Sequence, residues 1–269
     1  MAELSKCKET LMARIIAITN QKGGVGKTTT SVNLAASLAT SNKRVLMLDM
    51  DPQGNASMGC GVDKYQAVNT ACEMLLGEIG IRDAIVRVEA GFDVIPSNTD
   101  LTAAEVAMME MPQREQKLRL ELSKVKGEYD FIIIDCPPSL SLLTINALVA
   151  ADGVLIPIQC EYYALEGLSS LLDTVDQIKE SVNPKLEVEG MLRTMADNRN
   201  NLSNEVAAQL LKHFKEKVYT TVIPRNVTLA EAPSHGEPVN VYDKTSRGAV
   251  AYRALAAEVL RKQMTAGQK

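Results

Sequence analysis

Lys22, Lys27, Thr28, Asp49, Asp51 and Asp135 are the side chains whose types and spacing could do chemistry in this sequence. The first three lie in Lys22-Gly23-Gly24-Val25-Gly26-Lys27-Thr28-Thr29, a glycine-rich run. It falls between an apolar stretch, Ile15-Ile16-Ala17-Ile18, and a helix-compatible one, Val32–Ala39. Strand, turn and helix in that order aim successive backbone N–H groups and a helix N-terminus at one spot, which suits a nucleotide's phosphates. Lys27 supplies a cation for the β- and γ-phosphates, and the Thr28 hydroxyl can ligate Mg²⁺. The usual pattern has glycine at the position of Gln21, so this is a deviant P-loop with a second lysine, Lys22, near its start. A chance glycine-rich turn explains Gly23-Gly24; it does not also explain Gly26-Lys27-Thr28 in this setting.

Asp49 and Asp51 stand at the end of another apolar run, Leu46-Met47-Leu48, before a Pro52/Gly54 turn. Alternation along a strand can aim both carboxylates the same way. One can then hold a Mg²⁺-bound water while the other orients an attacking water. Ile132-Ile133-Ile134-Asp135-Cys136-Pro137-Pro138 has the form of a Walker B strand, in which Asp135 ligates Mg²⁺ through water. Cys136 beside it reads as a small buried residue rather than a nucleophile.

These side chains need a frame that gathers them. Strand candidates are Arg14–Thr19, Arg44–Asp49, Phe92–Pro96, Asp130–Asp135, Gly153–Pro157, Leu186–Met195 and Val218–Ile223. Helical spacing fits Lys27–Ala39, Leu101–Met109, Arg114–Lys126, Leu142–Ala150, Leu165–Lys179, Ser203–Lys215 and Ala249–Met264. Runs such as Phe131-Ile132-Ile133-Ile134 are apolar on both faces, as in a parallel sheet covered by helices. The expected fold is therefore α/β, a doubly wound, mostly parallel sheet flanked by helices, of the deviant P-loop type. Ligands of such sheets bind beyond the carboxyl ends of the strands, so residues 21–28, 49–55, 135–139 and 157–161 should meet on one edge. No repeat or long linker interrupts the pattern. One domain over residues 14–264 is expected, with a short N-terminal extension at 1–13 and a tail at 265–269.

The chain has 269 residues, 46% of them hydrophobic and 23% charged, a balance that suits a globular protein with a sizeable core. Its apolar runs are too short to cross a bilayer, and its first dozen residues lack the apolar core of a signal peptide. Five scattered cysteines form no C-x-x-C pair, against a disulfide framework or a metal centre. A cytoplasmic location is expected. Net charge is −4, unevenly spread. Residues 1–189 hold 17 basic and 26 acidic side chains, a net of −9; residues 190–269 hold 12 and 7, a net of +5. Such asymmetry fits either a polyanion-binding face or a solvated surface.

The motifs Lys22–Thr29, Asp49–Asn55 and Asp135–Ser139 resemble those of the ParA/Soj family of chromosome- and plasmid-partition ATPases. Gln159–Gly167 and Ile223–Ser234 extend the resemblance, which covers about residues 14 to 260. It implies ATP hydrolysis to ADP and phosphate with Mg²⁺, slow alone and stimulated by a ParB-like DNA-binding partner. It also implies an ATP-bound homodimer in which Lys22 reaches the phosphates of the other protomer's nucleotide, a role parallel to an arginine finger supplied in trans. Gly23 then permits close approach of two backbones, Asp51 stands next to the attacking water, and Pro224 and Asn226 lie against the adenine.

In this family the ATP dimer binds double-stranded DNA non-specifically through cations of its C-terminal half, which would make the protein nucleoid-associated. Arg199 matches one such arginine. Thr228 stands where a second is common, and Arg225, Lys244 and Arg247 are the cations expected to take its place. Phosphate contacts of this kind weaken steeply with salt. Two rivals share the loop. A membrane-positioning ATPase of MinD type needs an exposed apolar face on its last helix, yet Tyr252, Leu255, Val259, Leu260 and Met264 read as core packing and no membrane contact is expected. An electron-transfer iron protein needs cluster-bridging cysteines, and no glycine-flanked pair is present. A ParA-like protein that positions a non-DNA cargo remains open from sequence.

Overall fold

A computed structural model describes residues 12–161, 163–197 and 199–266. Most of the expected N-terminal extension, most of the tail, Cys7, Tyr162 and Asn198 lie outside the described residues. The sheet contains β1 (Arg14–Ile18), β2 (Val45–Asp49), β3 (Val86–Arg87), β4 (Asp93–Ile95), β5 (Phe131–Asp135), β6 (Gly153–Gln159), β7 (Glu187–Ala196) and β8 (Val218–Pro224). Their spatial order is β3-β4-β2-β5-β1-β6-β7-β8. Every pairing is parallel except β3 with β4. The chain leaves β1 toward β2 on one side and leaves β5 toward β6 on the other. The ends of β1 and β5 therefore form a topological switch point, where open sheets bind ligands.

Helices close both faces. In chain order they are α1 (Lys27–Thr40), α2 (Asn55–Met58), α3 (Ala71–Leu76), α4 (Leu101–Met108), α5 (Lys117–Ser123), α6 (Leu142–Ala150), α7 (Ala164–Ser181), α8 (Asn201–Phe214), α9 (Val227–Glu231), α10 (Val239–Tyr242) and α11 (Arg247–Ala266). Alternate strand residues choose the face. Ile16, Ile18, Met47 and Ile133 pack with Leu34 and Leu38 of α1 and Tyr252, Leu255 and Val259 of α11. Ile15, Ala17, Leu46, Leu48, Ile132 and Ile134 pack with Leu143, Leu148, Leu168, Leu171 and Leu210 on the other face. Each such large apolar side chain contributes about 1.5–3 kcal/mol by leaving water. That explains why the central strands carry no alternation of polar residues. Tyr252, Leu255 and Val259 are thus core, as their spacing suggested; Leu260 is half-buried against them, and Met264, in the last turn of α11, is exposed instead of packed. Among the described residues no helix is long and apolar enough to cross a membrane.

Several expectations need adjustment. The single helix expected over Arg114–Lys126 is a 3₁₀ turn, Arg114–Gln116, followed by α5, with the break at Gln116, whose φ and ψ of −109° and 0° are not helical. The last helix begins at Arg247, two residues earlier than its spacing indicated. The antiparallel strand β3 and the short helices α2, α3, α9 and α10 carry no usable periodicity over two to six residues.

Candidate nucleotide site and the neighbouring arginine cleft

The four loops expected to converge do so. Asn20 donates from Nδ2 to the Pro157 carbonyl at 2.8 Å, tying the end of β1 to the end of β6, and its Oδ1 accepts from the Lys22 N–H at 2.9 Å. The loop then turns through Gly24 and Gly26, at φ 72° and 88°. A side chain at either would be strained, and a Cβ at Gly23 or Gly24 would project into open space. Gly26 caps α1 without any side-chain hydrogen bond, and no acidic residue lies in the first turn. The first amides of α1 are thereby left without a side-chain acceptor, the condition for receiving an anion.

Lys27 is 7% exposed, and its Nζ donates to the Lys22 carbonyl at 3.1 Å. Burial pushes its pKa down, partly opposed by the charge of Asp135. A buried ammonium with no ion pair among the described residues is poised for an incoming anion. Asp135 is fully buried at the end of β5, where it accepts from Thr28 Oγ1 at 2.9 Å and from Ser31 Oγ at 2.7 Å. Burial, and then the negative charge of Asp49, hold the Asp135 carboxyl above its usual range. Asp49 is opposite it in register and is raised too, again chiefly by burial. A divalent cation placed by Thr28 and Asp135 would offset this crowding of carboxylates, so the donor set fits Mg²⁺.

Asp49 and Asp51 end in different surroundings. Asp49 faces α2, accepting from the Ser57 N–H at 2.8 Å, Ser57 Oγ at 2.7 Å and the Asp51 N–H at 3.1 Å. The strand ends at Asp49, so the alternation that would align the pair stops there. Asp51 is half-buried, and its Oδ1 accepts from the Gln53 N–H at 2.9 Å. The buried Asp49 carboxylate thus ties the turn to α2. Lys22 sits at the loop's mouth with Nζ 2.6 Å from Glu161 Oε2, both side chains being substantially exposed.

Pro224 and Asn226 line a cleft of ≈ 170 Å³ with Gly26, Thr29, Met195 and Tyr252. The Asn226 Oδ1 is buried close to Gly248 of α11, without a hydrogen-bond partner among the described residues. An orphaned acceptor on a residue of that cleft suits a nucleobase amino group. The expected DNA cations gather a little further along. Arg199, Arg225 and Arg247 line a larger cleft of ≈ 1030 Å³ walled by β7, β8, α8 and α11; Lys244 is exposed but not part of its lining. Arg199 is already paired, donating from Nε and Nη2 to Asp197 at 2.9 and 2.7 Å.

Four site residues escaped the sequence reading. Ser31 follows Thr28 by three positions on α1, a spacing that puts both hydroxyls on one face toward Asp135 and could have been found. Asn20 and Glu161 act through contacts between loops far apart in sequence, which no local pattern marks. Arg193 lines the larger cleft from β7; an arginine inside an apolar strand run was a legible signal.

A parallel sheet with a glycine loop, buried lysine and hydroxyl–carboxylate pair at its switch point defines a P-loop nucleotide-binding protein of the deviant type. The comparisons with known proteins narrow this class. A family model described as "AAA domain" matches residues 13–188. The chain is 54% identical over 249 residues to the sporulation initiation inhibitor protein Soj of Bacillus subtilis, covering 92% of this chain and 98% of that one. It is 48% identical over 253 residues to the chromosome partitioning protein ParA of Caulobacter vibrioides, covering 93% and 95%. Among solved structures, cobyrinic acid a,c-diamide synthase from Mycobacterium smegmatis, with bound ATP analogue and magnesium, matches with a TM-score of 0.84 and 36% identity. That match covers 94% of this chain and 97% of the other. The cell division ATPase MinD of Pyrococcus furiosus matches with a TM-score of 0.77 and 28% identity, covering 94% and 100%. The chain belongs to the ParA/Soj family.

Proposed function

We propose that the protein is an ATPase of chromosome or plasmid partition, in which Mg²⁺ and ATP join two protomers and the dimer binds DNA without sequence preference. The observation that carries this reading is the pair of lysines on one loop. Lys27 is buried and directed at the loop's own carbonyl, whereas Lys22 is at the mouth, exposed enough to serve a second protomer. Relatives named as a chromosome-partitioning ATPase, in Treponema pallidum at 45% identity, and as ParA in Myxococcus xanthus at 50%, support the same conclusion.

The roles divide by position. Gly23, Gly24, Val25, Gly26, Lys27 and Thr29 bind the triphosphate through backbone amides, the ammonium and the first turn of α1. Thr28 and Asp135 would hold a magnesium ion, which would supply charge neutralisation of the phosphates. Asp51, half-buried at the strand end, orients the attacking water, and Lys22 of each protomer stabilises charge on the other's phosphates. Pro224 and Asn226 receive the adenine. Arg199, Arg225, Lys244 and Arg247 meet DNA phosphates, and a ParB-like partner speeds hydrolysis and release. DNA retention measured with ATP, ADP and no nucleotide across a salt series tests the reading. Retention with ATP alone, lost as salt rises, supports it; equal retention in all three states refutes it.

A further inference from the structure

Arg193 has no assigned role, and its surroundings are unusual for a strand residue. It lies within β7, paired in register with Ile158 and Val222. Its Nε is buried and has no hydrogen-bond partner among the described residues. An unpaired, desolvated guanidinium nitrogen costs stability unless an anion meets it. Arg193 belongs to the lining of the ≈ 1030 Å³ cleft, which Arg199, Arg225 and Arg247 also line. Among the described residues, Asp197 is the one acidic side chain in that lining, and it is occupied by Arg199. Ser203 and Asn204, in the first turn of α8, complete one wall. That turn carries no acidic residue, so the helix adds its own partial positive charge.

We propose that this cleft is a phosphodiester-binding groove and that Arg193 is its floor cation, seating one backbone phosphate deeper than the exposed arginines can. The inference rests on the DNA-binding reading and adds to it a residue and a depth of insertion. Exposed cations at Arg225 and Arg247 hold phosphates at the surface and leave them hydrated; a floor cation with a buried nitrogen draws one phosphate between α8 and α11. The cleft also shares Thr194, Pro224 and Arg225 with the cleft beside the glycine loop. Thr194 donates from Oγ1 to the Val25 carbonyl at 2.8 Å, so the wall between the two clefts is anchored to the nucleotide loop itself. Nucleotide binding and phosphate seating thereby act on one piece of backbone.

The experiment compares the full-length parent with R193Q, R193K and A254E in DNA retention with ATP across a salt series. A fluorescent nucleotide reports affinity in parallel. Ala254 is exposed at the rim of the cleft on α11, where glutamate is a good helix former and adds a repelling charge. R193Q is expected to bind DNA about tenfold more weakly, with a slope of log affinity against log salt shallower by about 0.9 for each phosphate it no longer neutralises. R193K should restore most of the slope, and A254E should weaken retention without altering nucleotide affinity. A parental slope and affinity in R193Q, or parental retention in A254E, overturns the proposal while leaving DNA binding by the surface arginines intact. A parent that shows no ATP-dependent retention overturns the functional reading itself, and this inference with it.

Discussion

Glu161→Gln should strengthen the ATP-bound dimer. In the single protomer Lys22 Nζ lies 2.6 Å from Glu161 Oε2, with side chains 37% and 50% exposed. If Lys22 must leave that carboxylate to reach the other protomer's phosphates, the ion pair opposes dimerisation. An exposed pair of this kind is worth about 0.2–1 kcal/mol. Two are broken in each dimer, so removing them should favour the dimer by about 0.4–2 kcal/mol, or about 2- to 30-fold in its dissociation constant. Glutamine keeps the shape and the hydrogen-bonding oxygen but not the charge. The assay is sedimentation with Mg²⁺ and a non-hydrolysable ATP analogue at low and high salt, since screening should shrink the gain. A dimer no tighter, or weaker, at low salt would refute the claim that Glu161 restrains Lys22.

Other consequences are simpler. Lys27→Ala removes the buried cation of the loop and should weaken nucleotide binding about 10- to 150-fold, measured by fluorescent-nucleotide titration. Asp51→Ala should still dimerise with ATP but lose about 100-fold or more of its turnover, read by phosphate release. Glu258 on α11 accepts from the Thr220 and Thr221 amides of edge strand β8 and from Thr221 Oγ1. Burial alone would raise its carboxyl, but these hydrogen bonds outweigh it and hold the pKa below the usual glutamate range. That contribution is present above the unfolded pKa and is lost as pH falls through the folded one. Glu258→Gln should therefore cost about 1–3 kcal/mol at neutral pH and much less in acid, by denaturant unfolding at both pH values.

The central frame was legible because long apolar runs and regular helical spacing encode it. β1, β2, β5 and α1 fall within a residue or two of their expected limits, and the motifs at their ends meet as parallel-sheet topology requires. The edge strand β3 and the short helices α2, α3, α9 and α10 were not legible, since they carry no apolar run or helical repeat of their own and owe their existence to tertiary contacts. The Asp49–Asp51 pair shows a different limit. Strand alternation treats the two carboxylates alike, but Ser57, eight residues on, donates twice to Asp49 in the core while Asp51 stays half-buried. Charge counting pointed to a basic C-terminal segment; only the fold places Arg193 beside Arg225 and Arg247, in one cleft walled by β7, β8 and α11.

ATP-driven pairing of protomers is the claim on which the rest depends. Its most direct measurement is the solution mass of the full-length protein with Mg²⁺ and a non-hydrolysable ATP analogue, against ADP and against Lys22→Ala. A doubled mass with the analogue alone, absent in the variant, is the predicted result. A single-protomer mass in every state, at concentrations where the nucleotide is bound, would contradict the account.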